Sequence, residues 1–83
     1  MVPEHNIPPH MTDNQKRSVL LSGHRTSISL EQVFWKKLKE ICKLRGKSMN
    51  QQIMEIDNER LKRSNNNLSS AIRVYILEHA NQK

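Results

Sequence analysis

Arg25, Ser27 and Ser29 alternate along the chain with Thr26, Ile28 and Leu30. Successive side chains of an extended strand point to opposite faces. This spacing therefore sets one guanidinium and two hydroxyls on one side, and three apolar or branched groups on the other. The polar row is a short rank of hydrogen-bonding groups on a half-buried strand; the bland reading is a hydrated outer face. A second constellation is Ser48-Met49-Asn50-Gln51, which matches a capping box: the serine side chain caps the third helical amide and the glutamine reaches back. The unpaired amides and dipole of such a helix start attract anions, and Lys47 stands directly before it.

Other reactive residue types have no comparable order. Cys42 is the single cysteine, so no disulfide forms within the chain, and it reads as a small buried hydrophobe, in a reducing compartment or in a chain indifferent to redox. His5 and His10 lack a third ligand to complete a metal site. Glu40, Glu55, Asp57 and His79 scatter over polar helix faces, and His79 reads as a partner of a helix C-terminal dipole. With two glycines and no nucleophile elbow or phosphate loop, the chain is expected to be no enzyme, with no catalytic residues, metal or cofactor.

The elements that position these groups belong to a small, basic chain. Its 83 residues are 35% hydrophobic and 27% charged, with a net charge of +6. A core of this size rarely supplies more than about 3–5 kcal/mol. Lacking disulfides or a metal, the chain is expected to gain stability from a second copy of itself. All 14 basic residues fall within 16–83, where the acids number six, so that stretch is more basic than the whole. Such a charge balance makes a polyanion, first of all nucleic acid, the leading partner. No apolar run reaches the roughly 20 residues that span a bilayer, and the chain reads as soluble and cytoplasmic.

Met1–Gln15, with three prolines and little apolar periodicity, reads as a disordered tail preceding a domain over 16–83. Val19-Leu20-Leu21, broken by Ser22-Gly23, has ambiguous flanks, while Arg25–Leu30 reads as a strand. Glu31–Arg45 takes up helical period: Phe34, Leu38, Ile41, Cys42 and Arg45 share a face that Trp35 widens, Glu31 sits in the first turn, and Gly46 follows as a C′ glycine. A second helix runs from Met49 to about Leu61 on a thinner stripe of Met49, Ile53 and Ile56, with Gln52 and Asp57 where apolar groups fit better. Lys62–Asn67 reads as a loop. The run after Leu68 is β-branched enough for a strand, but Leu68, Ile72, Tyr75, Ile76 and His79 share one helical face behind asparagine and serine caps, which favours a third helix.

A lone strand leaves its backbone unpaired. Unless Val19–Leu21 supplies a partner within the chain, the pairing strand must come from another copy. Arg25–Leu30, the helix with Phe34, Leu38 and Ile41, then Gly46-Lys47-Ser48-Met49-Asn50 and Ile53 together resemble the ribbon-helix-helix family, bacterial and phage repressors of the Arc and methionine-repressor type. Longer phrases, His24–Glu31 with Phe34-Trp35 and Asn67–Arg73, resemble a subfamily of small bacterial members. The resemblance implies a mainly α fold with one short strand per chain, an intermolecular antiparallel ribbon in a homodimer, and an additional C-terminal helix.

Carried over by position, it implies that Arg25, Ser27 and Ser29 read base edges in the major groove of double-stranded DNA. Lys47, Ser48, Met49 and Asn50, with Lys16 and Arg17, would hold phosphate. Ile28, Leu30, Phe34, Trp35, Leu38, Ile41, Ile53 and Ile56 would build the dimer core. Two serines make a modest reader, so specificity per half-site is expected to be low, or helped by neighbouring dimers. The function implied is a homodimeric, sequence-specific transcriptional regulator, most simply a repressor associated with the nucleoid. The competing reading is a protein-interaction module or antitoxin-like partner acting through the third helix or the tail. Antitoxins of the family usually carry their disordered partner-binding segment after the fold, whereas here it precedes it.

Overall fold

The computed structural model describes residues 12–63 and 67–80. Two strands, β1 (Asn14–Leu21) and β2 (His24–Glu31), are followed by three helices: α1 (Gln32–Arg45), α2 (Met49–Arg63) and α3 (Leu68–His79). The mainly helical architecture with an added C-terminal helix is as expected. The strand count is not. Where one short strand per chain was expected, β1 pairs antiparallel with β2 inside the chain, from Asn14 opposite Glu31 to Leu21 opposite His24. Asn14 and Gln15, assigned above to the tail, are the first residues of β1; the remainder of the expected disorder, with His5 and His10, lies outside the described residues.

The physical reason is the turn. Ser22 and Gly23 have φ of 51° and 82°, and a two-residue hairpin loop of type I′ needs positive φ at both positions. Glycine adopts such a φ readily and serine at a modest cost. With the turn fixed, the trio Val19-Leu20-Leu21 resolves into alternation. Val19 and Leu21 are buried, and Leu20 is 52% exposed on the other face.

The ribbon is pinned at both edges and at its base. On β1 the Leu20 N–H donates to Asn50 Oδ1 at 2.9 Å, and Asn50 Nδ2 donates to the Leu20 carbonyl at 2.7 Å. On β2 the Ser69 hydroxyl donates to the Ser29 carbonyl at 3.1 Å. At the base, Trp35 Nε1 donates to the Gln15 carbonyl at 2.9 Å. These bonds satisfy backbone groups that a two-stranded ribbon leaves open.

Ile28, Leu30, Trp35, Leu38, Ile41, Ile53 and Ile56, expected in a dimer core, are buried within the single chain together with Val19, Leu21, Cys42, Ile72 and Ile76. Phe34 is half-buried against this cluster, with the Arg73 guanidinium 5.7 Å from its ring. Helix α3 packs on α2, α1 and β2 and so covers this core within the chain. Gln52 lies among these residues at 1% exposure, and its Oε1 has no hydrogen-bond partner among the described residues. Asp57 is instead held by Arg60 at 2.6 Å.

The termini follow local chemistry. Glu31 ends β2 rather than entering the first turn of α1, and its carboxylate binds Arg73 at 3.0 Å. Helix α1 closes in a Schellman motif: the Lys47 N–H donates to the Cys42 carbonyl at 3.0 Å and the Gly46 N–H to that of Lys43 at 3.3 Å. Gly46 has φ 68° with open space where a Cβ would stand. Gly46→Ala should therefore cost about 1 kcal/mol through backbone strain alone, read as a lower urea midpoint with unchanged circular dichroism; an unchanged midpoint contradicts the left-handed cap. Helix α2 extends two residues past the expected end to include Lys62 and Arg63, and Asn67 caps α3 by accepting from the Ser70 N–H at 2.8 Å.

Candidate nucleic-acid interface

Cross-strand partners in an antiparallel pair share a face. Burial of Ile28, Leu30, Val19 and Leu21 marks the inner face, so the outer face carries Lys16, Ser18 and Leu20 from β1, opposite Ser29, Ser27 and Arg25 from β2. Lys16, Ser18, Arg25 and Ser27 are exposed, and Ser29 is half-buried where α3 approaches. Glu31, the one acid on this face among the described residues, lies at its far end and is neutralised by Arg73. Its own backbone N–H does most to hold its carboxyl below the usual range; desolvation opposes this, and the Arg73 hydrogen bond and charge add to the lowering. Among the described residues neither Lys16 nor Arg25 forms an ion pair.

The expected phosphate-holding residues divide. Ser48 forms the capping box: the Gln51 N–H donates to Ser48 Oγ at 3.1 Å and the Ser48 N–H to Gln51 Oε1 at 2.9 Å. Met49 and Asn50 supply first-turn amides, which lack partners within the helix. The Asn50 side chain is committed to Leu20 and is a clamp on the ribbon rather than an anion ligand. Lys47 donates to the Glu55 carboxylate at 2.7 Å, which offsets part of its charge. Arg17 falls on the inner face of β1, with its guanidinium 5.2 Å from the Trp35 ring centre, a cation–π arrangement. It is separated from Lys16 by the pleat.

Arg17, Lys39, Lys43 and Lys47 line one groove whose floor includes Cys42 and Met49. Lys39 and Lys43 stand four residues apart on α1 and were missed in the sequence, because a charged helix face reads there as ordinary hydration. Ser18 and Leu20 were missed because β1 was not read as a strand. The Cys42 thiol at the groove floor is pushed up in pKa by burial, which disfavours the reactive thiolate. Tyr75 is likewise raised by burial, and its ring stacks on His79 at 3.9 Å. Among the described residues no group of three His, Cys, Asp or Glu is placed to hold a metal.

A paired ribbon, a helix and a capped helix start abutting the ribbon edge are the arrangement of one domain family. Its family model, a ribbon-helix-helix domain, matches residues 14–80. The chain belongs to the ribbon-helix-helix family. It is also similar to the solved structure of an uncharacterized protein from Bordetella pertussis Tohama I, at 30% identity and a TM-score of 0.80 over 93% of this chain. The match spans 63% of that protein's chain. No curated protein matches. Ribbon-helix-helix domains commonly bind DNA, and no described helix here is long and apolar enough to cross a membrane.

Proposed function

We propose that this ribbon-helix-helix chain is a sequence-specific DNA-binding transcriptional regulator of the bacterial cytoplasm and nucleoid, most simply a repressor that occludes a promoter. One observation carries the reading: an exposed two-stranded ribbon, whose Arg25 and Lys16 form no ion pair among the described residues, stands beside the capped start of α2. The major groove admits a two-stranded β-ribbon, and helix-start amides bind the phosphates that border it. Arg25, Ser27, Ser18 and Lys16 face the bases. The groove of Arg17, Lys39, Lys43 and Lys47 follows one phosphate strand along the β1 side.

The protein acts as a homodimer in which each copy brings its own ribbon. Lys16 to Leu20 spans only about 13 Å at the usual strand rise, or roughly four base pairs, too short a site to stand out among genomic competitors. Two copies double it. The pairing surface is the exposed face of α3, where Val74 and Leu77 are 50% and 67% exposed, one turn apart. The same two residues support the runner-up reading, in which α3 binds a different protein.

The test combines mass and salt. Sedimentation should give a dimer, and Val74→Ser with Leu77→Ser should give a folded monomer. Affinity for a random duplex should fall steeply with salt. The double variant Lys39→Ala, Lys43→Ala should lower the slope of log affinity against log salt by about 0.9 for each phosphate that is no longer neutralised. A monomer with no affinity for duplex overturns the DNA-binding reading and leaves the α3 face to another partner.

A further inference from the structure

The polar ribbon face carries one residue out of character. Leu20 is 52% exposed, directly opposite Arg25 and beside Ser18 and Lys16. An exposed leucine is ordinary by itself, but this one is held. Both its backbone groups are bonded to the Asn50 side chain in the first turn of α2, which fixes the strand where the leucine projects. The only apolar group that the major groove offers at a base edge is the thymine 5-methyl.

We infer that Leu20 is a specificity-determining residue that packs against a thymine methyl, so that each ribbon reads a thymine within one or two base pairs of the guanine bound by Arg25. The inference rests on the proposed DNA reading and deepens it. Cross-strand neighbours at such a pair lie about 4.5–5.5 Å apart at Cβ, somewhat more than the rise of one base step, so the two side chains reach adjacent pairs. Asn50 gives the contact its rigidity: the helix start that holds phosphate also holds the strand carrying Leu20. A phosphate grip thereby sets the depth at which the leucine meets the base edge.

The experiment uses the full chain and a duplex library with a random core. Sequences enriched by wild type are resynthesised with deoxyuridine in place of each thymine, which removes the methyl and keeps the hydrogen-bonding edges. One methyl withdrawn from water is worth roughly a factor of four in affinity. Wild type is expected to bind the uracil duplex about fourfold more weakly for each methyl contacted, and Leu20→Ala to bind both duplexes alike. Equal binding of both duplexes by wild type overturns the inference without touching the DNA reading, and needs no variant to fold. A fourfold preference that survives in folded Leu20→Ala also overturns it, by assigning the methyl to another residue. Failure to enrich any sequence, or to bind duplex at all, removes the base-reading proposal and this inference with it.

Discussion

Replacing Trp35 with alanine should destabilise the fold by about 3–5 kcal/mol, comparable with the whole stability expected of so small a core. The variant is then largely unfolded at room temperature, with lost circular dichroism at 222 nm as the readout. Three interactions converge on this side chain. It is 2% exposed in the core, its Nε1 holds the Gln15 carbonyl, and its ring carries the Arg17 guanidinium. The ring therefore ties α1 to the β1 strand, whose pairing supplies the ribbon. Trp35→Phe keeps most of the apolar bulk and removes the donor, so it should cost only about 1–2 kcal/mol. An alanine variant within about 1 kcal/mol of wild type contradicts this placement of Trp35.

Periodicity made the helices legible because burial and spacing agree. Trp35, Leu38, Ile41 and Cys42 follow one stripe and are all buried, and the Ser48–Gln51 box forms as its spacing requires. The first strand was illegible for a definite reason. Its outer position 20 is a leucine, so apolar residues run consecutively from Val19 to Leu21 and mask the period of two. Its turn uses Ser-Gly in place of the stronger Asn-Gly signal. Without a legible hairpin, the backbone of Arg25–Leu30 has no evident partner within the chain, and a second copy is the natural source.

Two further differences have the same root in tertiary contacts. Glu31 has the composition of a helix first turn, yet its bond to Arg73 lies across 42 residues of sequence and draws it to the end of β2. Gln52 breaks the apolar stripe of α2 and is nevertheless buried at 1% exposure. The candidate interface was legible where a single strand carries it, at Arg25 and Ser27. It was not legible where side chains meet only after folding: Asn50 turned to Leu20, Lys47 to Glu55, and Lys39 and Lys43 joined Arg17 across a groove. Spacing along one element predicts its own face, whereas a groove between elements needs the packing.

Arg25→Ala should lower affinity for an enriched duplex by about 10- to 100-fold, the roughly 1–3 kcal/mol of a bidentate arginine–guanine contact, while binding to random duplex falls little. The asymmetry follows from its position. Arg25 is exposed on the outer face, opposite Leu20 and ahead of Ser27, with no acid paired to it among the described residues. Its guanidinium is thus free to present two parallel donors to guanine O6 and N7, whereas Lys47 shares its charge with Glu55. Arg25→Lys tests the geometry, since it keeps the charge and loses the planar fork. It should retain affinity for random duplex and its salt slope yet lose most of the preference for the enriched sequence. Equal losses on both duplexes for Arg25→Ala, with Arg25→Lys fully restoring wild-type binding, would place Arg25 on phosphate and leave base reading to the remaining outer-face residues. The comparison separates charge from shape at one position, the distinction on which a ribbon with so few outward groups depends.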